Sequence, residues 1–201
     1  NPTNPIITRR SFGSNPAQVG PMVAAYAQGL QANGVIATVK HFPGHGASIG
    51  DSHTELPVIV LPRERLEQVE LAPFQEAVAG GVEAVMVAHI WYPALDATPE
   101  RPASLSPDII TGLLREEMGF DGLVLTDALD MDAIDTRYSY PEAVRLGLTA
   151  GVDLFLSAHI GLGAQMEAID ALAAAVRAGD ISEERINQSV RRILAAKARY
   201  G

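Results

Sequence analysis

Cysteine is absent from the 201-residue chain. Its absence excludes disulfides, thiolate nucleophiles and cysteine-ligated metals, and it leaves the compartment open, with a cytoplasmic setting as the working expectation. Positive charge is in short supply. Lys and Arg total 15 against 24 Asp and Glu, a formal net charge of −9. An acidic chain without a basic block is a poor ligand for nucleic acid and is repelled by anionic membranes. No apolar run approaches the ~20 residues of a membrane span. No leader peptide is legible at Asn1, and neither a GxGxxG nor a GxxxxGK[ST] phosphate loop is present. Repeats, linkers and low-complexity segments are also lacking. What remains is a globular composition, with 47% hydrophobic and 19% charged residues. It suits about one domain spanning residues 1–201.

Short apolar runs alternate with helical patterns along that length. Strands are expected at 35–39, 84–88, 122–126 and 153–156. Each is nearly all apolar, as in a parallel sheet covered on both faces. Helices are expected at 16–31, 63–79, 141–150 and 161–178. One more runs from Ser106-Pro107 to Gly119, with serine as N-cap and proline at the first helical position. A last helix begins near Ser182, with Glu183 and Glu184 suited to its positive end. Strand-helix alternation of this kind predicts an α/β domain with a parallel sheet. An open doubly wound sheet and a (β/α)8 barrel both fit it. Length favours the open sheet, and the missing phosphate loop speaks against it.

The expected strands end in Lys40-His41, His89, Asp127 and Ser157. In α/β folds the carboxyl ends of strands line the ligand site, so these polar groups converge on one rim. The richest stretch is Lys40-His41-Phe42-Pro43-Gly44-His45-Gly46, followed by Asp51-Ser52-His53. Its proline and glycines predict a long loop with no helix. A zinc reading through His41, His45, Asp51 and His53 ranks low, because His41 and His45 would share a face only on a helix. In a tight turn Asp51 would fix the tautomer of His53 and favour its charged form, as a general acid that later acts as a base requires. Asp127 either caps the next loop or helix or points into the pocket as a nucleophile or ligand. Asp130 and Asp132 lie past the strand end and are expected to face solvent.

At these residues the chain resembles glycoside hydrolase family 3, in its β-N-acetylglucosaminidase branch. The likeness rests on the Lys40–Gly46 and Asp51-Ser52-His53 stretch with Pro57. It extends to Asn4-Pro5-Ile6-Ile7 with Arg10-Ser11-Phe12-Gly13, to Gly119-Phe120-Asp121-Gly122 through Asp127 and Met131, and to Ala150-Gly151-Val152-Asp153. The resemblance implies a (β/α)8 TIM-type barrel, of which this chain is the C-terminal half to two-thirds. It implies a retaining glycosidase in which Asp127 is the nucleophile and His53 the acid/base, supported by Asp51. Arg10, Lys40 and His41 would hold the hydroxyl groups of the sugar. The Asp-Ser-His element favours terminal β-N-acetylglucosamine on cell-wall or chitin-type sugars over a simple β-glucoside. No cofactor and no metal is expected.

Two features depart from the family pattern. The strands that normally precede Arg-Ser-Phe-Gly are missing, so a further N-terminal segment or self-association is expected to complete the barrel. Ala128 also stands where many members have aspartate. The competing readings are a non-catalytic, sugar-binding fragment and a metal-dependent hydrolase.

Overall fold

The computed structural model describes residues 4, 6–48, 50–52 and 54–201. Four strands form one parallel sheet: β1 (Thr38–Phe42), β2 (Ala84–Val87), β3 (Leu123–Ala128) and β4 (Leu154–Leu156). Their spatial order is β1-β2-β3-β4. A doubly wound sheet reverses direction at a switch point, whereas a barrel adds each strand beside the last. The order matches an arc of a barrel, and no switch point occurs among the four described strands.

Local signals set the helix boundaries. Asn15 caps helix Pro16–Gln31 by accepting from the Ala17 N–H at 3.1 Å, with Pro16 in the first turn. The Ser106 hydroxyl accepts from the Ile109 N–H at 3.2 Å. The helix begun there, Asp108–Glu117, is wound as a π-helix. Helix Tyr140–Ala150 stops at Gly151, whose φ of 119° lies in the left-handed region that favours glycine. Helix Leu162–Ala178 comes after β4, and Ser182 caps the final helix, Glu183–Tyr200. The 63–79 region is an α-turn at Arg63–Arg65, a π-turn at Leu66–Glu70 and an α-helix at Ala72–Ala79.

The first strand lies further along the chain than its apolar run suggests. Val35 and Ile36 are outside it, and His41 and Phe42 are inside. The ladder slips between Lys40 and Phe42, which gives His41 no partner on β2. A bulge of this kind re-aims a side chain, and His41 is buried while Lys40 is exposed. The expectation of two covered faces also needs correction. Val85, Val87 and Val124 are fully buried beneath Leu66, Ile109, Ile110 and Leu114. On the opposite face Ala84 and Leu123 are buried against Ala196 of the final helix, and only Met86 and Leu125, further along the strands, are half-buried.

The amino ends of the strands are tied by ions. The Asp153 side chain, fully buried just before β4, pairs with Arg115 at 2.6 Å and lies 3.7 Å from Arg185 and 3.6 Å from Arg192. It also accepts from the Ser189 hydroxyl at 2.5 Å and from the Val124 N–H at 3.0 Å. One carboxylate thus joins the final helix to β3. Replacing it leaves buried guanidinium groups without a counter-charge, a loss of about 3–5 kcal/mol in comparable sites. Asp153→Ala is accordingly expected to lower the urea midpoint sharply, whereas Asp121→Ala, which removes an exposed carboxylate paired with Arg192, changes it little.

Candidate active site

At the carboxyl ends of the strands the side chains are arranged for chemistry instead. Asp127 occupies the penultimate position of β3, and its side chain is 24% exposed. Oδ1 accepts from the Ala128 N–H at 2.9 Å. Oδ2 lies 3.4 Å from Nε2 of His41. These two residues come from β1 and β3, with β2 between them. Burial pushes the His41 imidazole down to about 3. Asp127 opposes that shift only in part, and Lys40, His45 and Arg10 reinforce it. His41 is therefore neutral at neutral pH and forms no ion pair with Asp127.

The His41–Ser48 loop folds back on itself. It contains a short 3-10 turn at His45–Ala47, against the expectation of no helical geometry. The histidine rings at 41 and 45 meet edge to face, with centroids 5.5 Å apart. A shared helical face is thus unnecessary for them to approach. Burial also lowers the His45 pKa, and its Nδ1 is 2.7 Å from the Ser48 hydroxyl. The loop is held from outside. The buried Asn4 amide donates to the carbonyls of His45, Gly46 and Ser48 at 3.2, 3.2 and 2.9 Å. The Tyr92 hydroxyl donates to the Gly44 carbonyl at 3.1 Å. Gly44 has φ of 134°, and a Cβ there would stand 2.8 Å from Cβ of Glu70.

Arg10, at the end of the Thr8–Arg10 turn, lines a cavity of about 520 Å³ together with Lys40 and His41. The cavity extends between helix Pro16–Gln31 and β1. Asp51 opens a turn in which its carbonyl accepts from the Thr54 and Glu55 N–H groups. The Ser52 carbonyl accepts from the Ala133 N–H at 3.3 Å, which ties this turn to the segment just after Asp127. His53, the expected acid/base, lies outside the described residues. Among the described residues, no three His, Asp or Glu side chains gather as a metal site would require.

Comparison with known proteins decides the family. The model of the glycosyl hydrolase family 3 N terminal domain matches residues 1–196. The chain belongs to glycosyl hydrolase family 3. Beta-hexosaminidase A of Pseudoalteromonas piscicida is 37% identical over 99% of the chain and 36% of its own length. A beta-hexosaminidase of Stenotrophomonas maltophilia (strain R551-3) is 40% identical over 78% of the chain and 46% of its own length. A family 3 β-N-acetylglucosaminidase structure from Paenibacillus sp. str. FPU-7 is 50% identical and superposes with a TM-score of 0.95. The match covers all of this chain and 38% of that one. The chain thus spans less than half the length of these relatives.

Asp130 does not face solvent. Its side chain is 10% exposed. It accepts from the N–H groups of Ala158 and His159, at 3.0 and 2.6 Å, and pairs with the His159 ring at 3.0 Å. It fastens the loop after β4 to the loop after β3, so substitution there is not silent. Asp132 and Glu142 are exposed. Residues to which the sequence pattern assigns no role include Asn4, Tyr92 and Ser104. Buried polar side chains at these positions are the signal that marks them, and burial is not visible in a sequence.

The neutral state of His41 has a measurable consequence. The unfolded chain takes up a proton near the ordinary value of 6.5, and the folded chain does so only near 3. The unfolded state therefore binds more protons between those values, and stability falls as pH drops through that window. His45 acts in the same direction. The urea midpoint is expected to decline between about pH 7 and pH 4. His41→Gln is expected to flatten part of that decline, and an unchanged slope would contradict the buried neutral imidazole.

Proposed function

We propose that the protein containing this chain is a retaining glycosidase. It releases terminal β-N-acetylglucosamine from cell-wall or chitin-type sugars. The observation that carries the reading is the placement of Asp127. A carboxylate at the end of a buried strand, held by a backbone N–H and facing a neutral imidazole, is rigidly placed and free of a matched ion pair with that ring. The names and titles of the relatives described above support the substrate class.

In the first step an Asp127 oxygen attacks the anomeric carbon. The glycosidic bond breaks, and its electron pair leaves on the departing oxygen, which takes a proton from His53. In the second step His53 removes a proton from water. The resulting hydroxide attacks the same carbon and frees the Asp127 carboxylate. Asp51 supports His53 in both steps. Arg10 and Lys40, exposed residues lining the cavity, hold the sugar hydroxyls together with His41. The partner this reading implies for the chain itself is more of the same barrel, covering the half-buried face of β2 and β3.

The roles separate in variants of the complete protein. Asp127→Ala is expected to abolish turnover and to form no covalent adduct. His53→Ala is expected to lose about 10²–10⁴-fold on substrates with poor leaving groups. With an activated leaving group it still forms the intermediate, and the intermediate then persists. Mass spectrometry after incubation with a 5-fluoro sugar bearing such a group is expected to find the label on Asp127. A label on Asp130, Asp132 or Glu142 would overturn the assignment.

A further inference from the structure

His89 lies just past β2, between the strands that carry His41 and Asp127, and it is fully buried. The mechanism above gives it no task. Its Nε2 lies 3.0 Å from the Ala128 carbonyl, and its Nδ1 lies 2.7 Å from the Ser104 hydroxyl. A carbonyl only accepts, so Nε2 carries the hydrogen and donates to Ala128, while Nδ1 is paired with the Ser104 hydroxyl. Ala128 is the residue whose N–H holds Oδ1 of Asp127. The β3–β4 ladder is irregular between Leu125 and Ala128 and resumes where Ala128 faces Leu156, so the His89 contact falls at the end of the irregular stretch.

Ser104 is itself held in place. It sits in the buried turn Ala103–Leu105, whose N–H groups at 103 and 104 donate to the carbonyls of Ile90 and Ala88. The loop leading to it is closed by Asp96, whose fully buried carboxylate accepts from Arg101 at 2.6 and 2.8 Å and from the Thr98 N–H at 2.8 Å. The Ser106 hydroxyl donates to the same carboxylate.

We propose that His89 is a positioning residue for the nucleophile: through Nε2–H it anchors Ala128, whose N–H in turn orients the Asp127 carboxylate, and Ser104 sets the ring that does so. The inference rests on the retaining reading above. His89 acts through Ala128 and not on the sugar, so its loss slows attack without weakening sugar binding.

The test uses the complete protein and the 5-fluoro sugar with an activated leaving group. It reads the rate at which Asp127 is labelled, the affinity for N-acetylglucosamine and the thermal midpoint. His89→Leu is expected to slow labelling by about 10²-fold, the scale of a 1 Å misplacement, while affinity for the sugar holds. His89→Gln, whose amide reaches toward the same carbonyl, is expected to recover most of the rate. Ser104→Ala, a small change that preserves the fold, is expected to fall between wild type and His89→Leu. Labelling of Ser104→Ala and His89→Leu at the wild-type rate overturns the inference and leaves the retaining reading intact. So does a His89→Gln protein as slow as His89→Leu at equal stability. If His89→Leu does not fold, Ser104→Ala alone decides, and a wild-type rate there overturns the inference. Wild type that is active yet never labelled on Asp127 overturns the retaining reading instead.

Discussion

The active-site arrangement depends on two strands that are not neighbours meeting over the one between them. Adjacent strands run about 4.8 Å apart, so β1 and β3 are separated by roughly twice that distance at the backbone. His41 and Asp127 nevertheless stand 3.4 Å apart at their side-chain tips. Inward-pointing residues of alternate strands converge when a sheet curves into a barrel. The bulge at His41 adds to this by turning the ring inward where a regular strand would alternate away.

Function and stability occupy opposite ends of the same strands. At the amino ends, Asp153 and its arginines form a buried ionic knot that joins the last helix to the sheet. At the carboxyl ends, charge is left only partly matched. Asp127 faces an imidazole held neutral by burial, and Arg10 and Lys40, both exposed, line the neighbouring cavity. A fully matched ion pair at Asp127 would steady the fold and, in the proposed mechanism, weaken the attacking carboxylate. The loops that frame the site are fastened elsewhere, by Asn4, Tyr92 and Asp130, so the reacting groups need not hold the structure together.

Much of this was legible in the residue order. Helix Pro16–Gln31 has its cap, its proline and its apolar pattern in one local stretch, and it falls where those signals place it. Asp127 stood out because it ends an apolar run, a feature that survives folding unchanged. The apolar run at 35–39 does not match the strand, because Val35 is half exposed and precedes it while the polar Lys40 and His41 continue it. His41 and His45 looked unable to meet, because spacing arguments assume regular elements and the loop is irregular. The loop contacts of the Asn4 amide and the contacts of His89 carry no sequence signal, since they span 41 to 44 and 15 to 39 residues. Contacts over such separations are fixed by topology and leave no periodic trace.

The central claim is that Asp127 works as a nucleophile in two successive displacements at one carbon. Two inversions restore the starting configuration, so the stereochemistry of the first-formed sugar reports on the claim directly. Proton NMR of the complete protein acting on an aryl β-N-acetylglucosaminide, followed from the first seconds of turnover, distinguishes the anomers before they equilibrate in water. The account predicts that the β-anomer appears first and the α-anomer grows in only with mutarotation. An initial burst of the α-anomer would mean a single displacement by water and would contradict the nucleophilic role of Asp127.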